Sequence, residues 1–217
     1  MGINKETAII LIIGIVFIIG FGILVFFFNP SVTSPLTPVD QDLLIRETSH
    51  MTGKQNAKVT LVEFGDYQCP ACGQMAPLME ELIQTYGENP NFNFAYRHFP
   101  LPQHGNAKIA AEVAETAGVQ GKFWEMHNLL YENQAEWSEE PDPLPIFEKY
   151  AGQLGLNIQE FTNSINQNTY KGIVQSDADD GRKIPLAHTP TIFINGIEEK
   201  NINLNNLKEK IDSLLNS

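Results

Sequence analysis

The stretch Glu63–Pro77, EFGDYQCPACGQMAP, holds both cysteines of the chain, Cys69 and Cys72, with only Pro70 and Ala71 between them. Upstream, KVTLVEFGDY (58–67) is a short apolar run of Val, Leu and Phe, the pattern of a buried strand. Downstream, a helix is expected to begin at the cysteines and run to about Tyr86, where Gly87, Asn89 and Pro90 end it. Three readings compete for cysteines so spaced. A structural disulfide gains stability with the length of the loop it closes, so a bridge across two residues contributes almost nothing. A zinc half-site needs two further ligands, yet the five histidines (His50, His98, His104, His127, His188) are scattered and form no H-x₃₋₅-H pair. Redox chemistry fits the position best. A helix N-terminus favours a thiolate, and Pro70 takes the first helical position, where its missing N–H costs nothing. On this reading Cys69 is an exposed, acidic thiol, Cys72 is a shielded resolving thiol, and their disulfide is labile.

The rest of the chain supplies a frame for this segment. NFNFAYRHF (91–99) alternates Phe92, Phe94 and Tyr96 and reads as a second strand. PLPQHG is a loop, and His98 and His104 beside it are assigned loop and packing roles. From Asn106 the pattern is helical and broken by Pro and Gly, with Phe123 and Trp124 expected in the core of that block. TPTIFING (189–196) is a third strand, and Asn195-Gly196 is a strong turn signal for a hairpin with IEEKNI. The chain closes on a helix with Leu207, Ile211, Leu214 and Leu215 on one face. The order is β-α-β, a helical block, then β-β-α. The fold class is α/β with a helical insertion at about 104–183, too long to be a loop and therefore a subdomain. SDADDG (176–181) has the wrong spacing for a calcium loop and reads as a solvated helix end. WSEEPDP (137–143) reads as an acidic surface loop.

VTLVEFGDYQCPACGQMAP (59–77) resembles the active-site segment of the thioredoxin superfamily, and within it the DsbA-like thiol:disulfide oxidoreductases. The acid six residues before the first cysteine matches Glu63, and the helix-kinking proline eight residues after it matches Pro77. HTPTIFING, about 120 residues on, matches the cis-proline loop. The resemblance covers about residues 55–217 and implies a thioredoxin fold with an inserted helical subdomain. It implies that Thr189-Pro190 is cis and that the backbone there pairs with a substrate chain as a short strand. It implies that the catalytic pair is Cys69 and Cys72, with Glu63, buried on an otherwise apolar strand, relaying the proton of Cys72. No bound cofactor beyond the Cys69–Cys72 disulfide is implied. The expected partners are reduced or unfolded exported proteins and a membrane quinone-linked reoxidising protein. One departure stands out: DsbA itself has Pro-His between its cysteines, and Ala71 cannot donate to a thiolate. His188, two residues before Pro190, is a candidate to face Cys69 in its place, or else a plain surface histidine.

The N-terminus bears on location. TAIILIIGIVFIIGFGILVFFF (7–28) is 22 uncharged residues, about 33 Å as a helix against a hydrocarbon core of about 30 Å. A retained transmembrane anchor is expected, because a cleaved signal has a shorter apolar run and a small-residue cleavage site. Lys5 precedes the run, and no Lys or Arg follows until Arg46. That places residues 1–6 in the cytoplasm and the remainder outside, on a single-pass cell-membrane protein. Residues 29–48, with Pro30, Pro35 and Pro38, read as a tether, and 49–217 as one domain. The net charge of −12 gives no electrostatic footprint for nucleic acid. No dimerisation domain is evident before residue 55, so a monomer is expected. The competing functions are a reductase or isomerase built on the same residues, and a tethered binding or chaperone domain whose cysteine pair is vestigial.

Overall fold

The computed structural model describes residues 38–217 except Gln55 and Pro185. The expected cytoplasmic segment and membrane anchor, and the tether up to residue 37, lie outside the described residues. In chain order the elements are α1 (Gln41–Leu44), β1 (His50–Met51), β2 (Val59–Gly65), α2 (Pro70–Tyr86) and β3 (Phe92–His98). The insertion follows as α3 (Ala107–Val119), α4 (Phe123–Glu132), α5 (Gln134–Trp137), α6 (Leu144–Gln153), α7 (Ile158–Asn166) and α8 (Lys171–Lys183). The chain then returns through β4 (Thr191–Ile194), β5 (Ile197–Glu198) and α9 (Leu204–Asn216).

These strands form one sheet in the order β1-β3-β2-β4-β5. β2 is central, parallel to β3 and antiparallel to β4. Its seven residues are all buried, because both faces of the sheet are covered. Alternation along the strand divides them. Val59 and Leu61 face a large core shared with α2, the insertion and α9. Val62 and Phe64 face a smaller core with Leu44, Ala95, Ile184 and Phe193. The β4–β5 hairpin turns at Asn195 (φ 49°) and Gly196 (φ 83°), the left-handed pair that the Asn-Gly signal requires.

Two expectations are corrected. The tether does not extend to residue 48. Leu43, Leu44 and Ile45 close the smaller core over Val62, Phe64 and Phe193, and the Val39 amide donates to the Gly196 carbonyl at 2.9 Å. These apolar side chains have a sheet face to cover, so the domain begins at about Pro38. SDADDG is likewise not a solvated helix end. Asp177 and Asp180 are buried on α8 and hold Arg97 of β3, which is itself 0% exposed. Arg97 Nε donates to Asp177 Oδ1 at 2.8 Å, Nη2 to Asp180 Oδ2 at 2.9 Å, and Nη1 to the Leu43 carbonyl at 3.0 Å. Arg46 also pairs with Asp180. A buried guanidinium needs such partners, and through them the insertion, the sheet and the N-terminal lead-in are tied together. His98, assigned a loop or packing role, ends β3, where its Nε2 lies 2.8 Å from buried Glu115.

Candidate active site

β2 ends at Gly65, and the chain turns through Asp66, Tyr67 and Gln68 into α2, with Cys69 at the N-cap and Pro70 opening the helix. The turn is held from several sides. The Cys69 amide donates to the Asp66 carbonyl at 3.0 Å, and the Asp66 amide donates to Cys72 Sγ at 3.5 Å. The Asp66 carboxylate accepts from the Gln68 and Leu101 amides, each at 2.8 Å, and lies 2.6 Å from His104 Nδ1. Gln134 of the insertion donates to the Tyr67 and Cys69 carbonyls at 2.6 and 2.9 Å. A Cβ at Gly73 would sit 2.8 Å from Gln134 Oε1, so glycine makes room for this clamp. Pro77 lies inside α2, as expected of the helix proline.

The two thiols are free and differ sharply. Cys69 is pulled down to about 5, first by its hydrogen bond with the Cys72 thiol, with further help from Thr189 and from the N–H groups of Cys72 and Ala71, against the cost of burial. Among the described residues, no imidazole contributes to that shift. Cys72 is 0% exposed. Burial comes first in holding its thiol far above the ordinary value, and the Cys69 partner and the nearby Glu63 charge push the same way. The expected asymmetry is present, but the acidic thiol is 7% exposed rather than open to solvent.

Glu63 points from β2 into the core that contains Cys72. It is 2% exposed, and burial lifts its carboxyl to about 8. Across the sheet, Glu63 stands opposite Ile192 of β4. That register brings the preceding loop over the cysteines. The Thr189-Pro190 bond is cis, and Cys69 Sγ donates to the Thr189 carbonyl at 3.5 Å. The structure thus brings Glu63, Cys69, Cys72, Thr189 and Pro190 together. His188 is not part of this group. It is exposed, and its Nδ1 lies 3.0 Å from the Pro190 carbonyl oxygen, turned onto its own loop. The Asp66–His104 brace was not read from the sequence. Its signal was Asp66 at the end of an apolar strand, just before the cysteines.

The family model described as Thioredoxin matches residues 46–213. The chain belongs to the thioredoxin family. With helices inserted between the halves of its sheet, this thioredoxin-family chain has a DsbA-like fold. Its structure is similar to that of BdbD from Bacillus subtilis, at 25% identity and a TM-score of 0.70, covering 78% of this chain and 94% of that one. It also shares its fold with Wolbachia pipientis alpha-DsbA1, at 18% identity and a TM-score of 0.71, covering 80% and 94% of the two chains. Curated relatives include the Na(+)/H(+) antiporter NhaA 1 of Salinispora arenicola, 37% identical over 162 residues, which are 74% of this chain and 23% of that protein. The NhaA 1 of Mycolicibacterium vanbaalenii is 35% identical over 170 residues, 76% of this chain and 25% of that protein. The chain therefore spans about a quarter of the length of the curated relatives it matches.

Proposed function

We propose that this thiol:disulfide oxidoreductase is a disulfide donor to reduced, unfolded exported proteins, working outside the cytoplasm from a membrane anchor at residues 7–28. The observation that carries the reading is the opposed tuning of the thiols. A thiolate stabilised at Cys69 favours the dithiol form of the enzyme and so makes its disulfide oxidising. The uncharged N-terminal run supports the location, and labile disulfide chemistry suits an oxidising compartment.

The cycle starts from the Cys69–Cys72 disulfide. A substrate thiolate attacks Cys69 Sγ, a mixed disulfide forms, and Cys72 leaves with the electron pair of the broken S–S bond. Cys72 binds a proton tightly, and Glu63, holding a proton up to about pH 8, is the donor beside it. A second substrate thiolate then attacks the substrate sulfur of the mixed disulfide. Cys69 leaves readily because its thiolate is stable. The substrate has lost two electrons and the enzyme is a dithiol. A quinone-linked membrane protein is the proposed reoxidant, so the disulfide itself is the only electron carrier needed in the domain. The edge beside Thr189 and Pro190 is where the substrate backbone would pair, a mode that tolerates many sequences.

The test is a Cys72→Ser variant, its Cys69 first joined to glutathione as a disulfide, given a reduced, unfolded substrate with a single cysteine, whose thiolate displaces glutathione. A stable mixed disulfide on Cys69 is expected. Disulfide formation that survives in Cys69→Ser would refute the reading.

A further inference from the structure

Asp66 meets the resolving thiol with its main chain and the surrounding loops with its side chain. Its amide donates to Cys72 Sγ at 3.5 Å. Its side chain is wholly buried and accepts from three donors. The Gln68 amide reaches Oδ1 at 2.8 Å, and the Leu101 amide and His104 Nδ1 reach Oδ2 at 2.8 and 2.6 Å. A carboxylate that already accepts two amides is an acceptor here too, so the imidazole presents Nδ1–H to it. Leu101 and His104 share one turn of the loop between β3 and α3, in which the His104 amide donates to the Leu101 carbonyl at 3.1 Å. The Gln68 contact is local to the cysteine turn. Leu101 and His104 instead fix Asp66 against a separate segment, and of these two only His104 does so with a side chain.

Cys72 has need of such a donor. When the disulfide opens, its sulfur leaves with the electron pair into a site shielded from solvent, where Cys72 is 0% exposed. Burial, Cys69 and the Glu63 charge all work against negative charge on that sulfur, and the Asp66 N–H favours it. A fixed N–H aimed at a developing charge counts for far more in such a site than in water.

We propose that the Asp66 amide is the catalytic donor that holds Cys72 Sγ as it leaves, and that His104 is a positioning residue that keeps this amide aimed by gripping the Asp66 carboxylate. The proposal rests on the exchange at Cys69 and Cys72 described above, whichever way electrons flow. In the step, the Cys69–Cys72 bond breaks, a bond from Cys69 Sγ to the substrate sulfur forms, and the electron pair goes to Cys72 Sγ. The proton that follows comes from Glu63, and the Asp66 amide keeps its own.

The test is reduction of the oxidised full chain by dithiothreitol, at concentrations where the rate is linear in reductant. Attack on Cys69 and departure of Cys72 then set the rate, which acid quenching and alkylation of the freed thiols follow. His104→Ala is expected to react about two- to tenfold more slowly, the worth of one hydrogen bond. His104→Asn, which sets an amide N–H in place of Nδ1–H, is expected to recover most of the rate. Asp66→Asn removes the charge and keeps the shape; it is expected to be slowed as well, and it carries the test if His104→Ala does not fold. The Cys69 thiolate midpoint should stay near 5 in all three, because the Asp66 carboxylate is not among the groups that lower it. Wild-type rates in folded His104→Ala and Asp66→Asn would overturn the proposal. So would slowing that His104→Asn fails to recover, or slowing matched by a raised Cys69 midpoint, which would mark a loosened turn. Failure of the donor function is a separate result: a wild-type protein that dithiothreitol reduces but that passes no disulfide to a reduced substrate.

Discussion

Replacing Glu63 with Gln gives a sharp test of how the carboxyl is held. Its ordinary value of 4.5 is raised to about 8 by burial. At about 1.4 kcal/mol per tenfold change in proton affinity, that difference corresponds to about 5 kcal/mol. The folded protein keeps a proton that the unfolded chain releases between these values, so stability falls as pH rises through the window. Below about pH 4.5 both states are protonated and nothing is lost. Above about pH 8 the full cost is present. Gln cannot ionise, so the stability of Glu63→Gln relative to wild type should climb by up to about 5 kcal/mol between pH 4 and pH 9. The constant cost of burying an amide cancels from this pH dependence. Urea unfolding at a series of pH values, with the disulfide closed so that neither thiol titrates, measures the difference. A difference that is flat with pH, or that shrinks as pH rises, would refute a buried carboxyl with raised proton affinity.

Three further outcomes are expected. Thiolate absorbance of the reduced protein should titrate with a midpoint near 5, reporting Cys69. Stability of the reduced form relative to the oxidised form should rise from that pH toward the ordinary thiol range and be lost as pH falls through 5; a midpoint above 8 would contradict the site's electrostatics. Arg97→Ala removes a fully buried guanidinium and leaves buried Asp177 without its ion-pair partner, while Asp180 keeps Arg46 and Lys183. Denaturant unfolding should show a loss of about 3–5 kcal/mol, and a loss under about 1 kcal/mol would mean the cluster is not load-sharing between sheet and insertion. Gly65→Ala forces a methyl against the Tyr96 phenol, with an expected cost of about 1–3 kcal/mol from overpacking; an unchanged unfolding midpoint would show that the ring has room to move.

Local chemistry made much of this protein readable from its sequence. The strand of Glu63, the Cys69 N-cap with Pro70, the Asn195-Gly196 turn and the run of inserted helices all follow from short-range pattern, and each is where it was expected. What was not legible depends on contacts between distant segments. Leu43, Leu44 and Ile45 look like part of a Pro-rich tether until a bare sheet face is there to receive them. Asp177 and Asp180 look like solvent-facing acids until Arg97, some 80 residues earlier, is placed against α8. His104 is hidden for the same reason: it lies on a loop 38 residues beyond Asp66, and only the fold sets the two side by side. His188 shows the converse. Its position two residues before Pro190 suggested a partner for Cys69, but its ring closes on the Pro190 carbonyl.

The central claim concerns the direction of electron flow, and the equilibrium of the Cys69–Cys72 pair with glutathione tests it most directly. Across the family a more acidic nucleophilic thiol accompanies a more oxidising disulfide, from a thiol value of about 7 at about −270 mV to about 3.5 at about −120 mV. Cys69, at about 5, falls between them and predicts a potential of about −180 mV on that scale. A potential there or higher is the result expected of a disulfide donor; one near about −270 mV would make the protein a reductase and contradict the account.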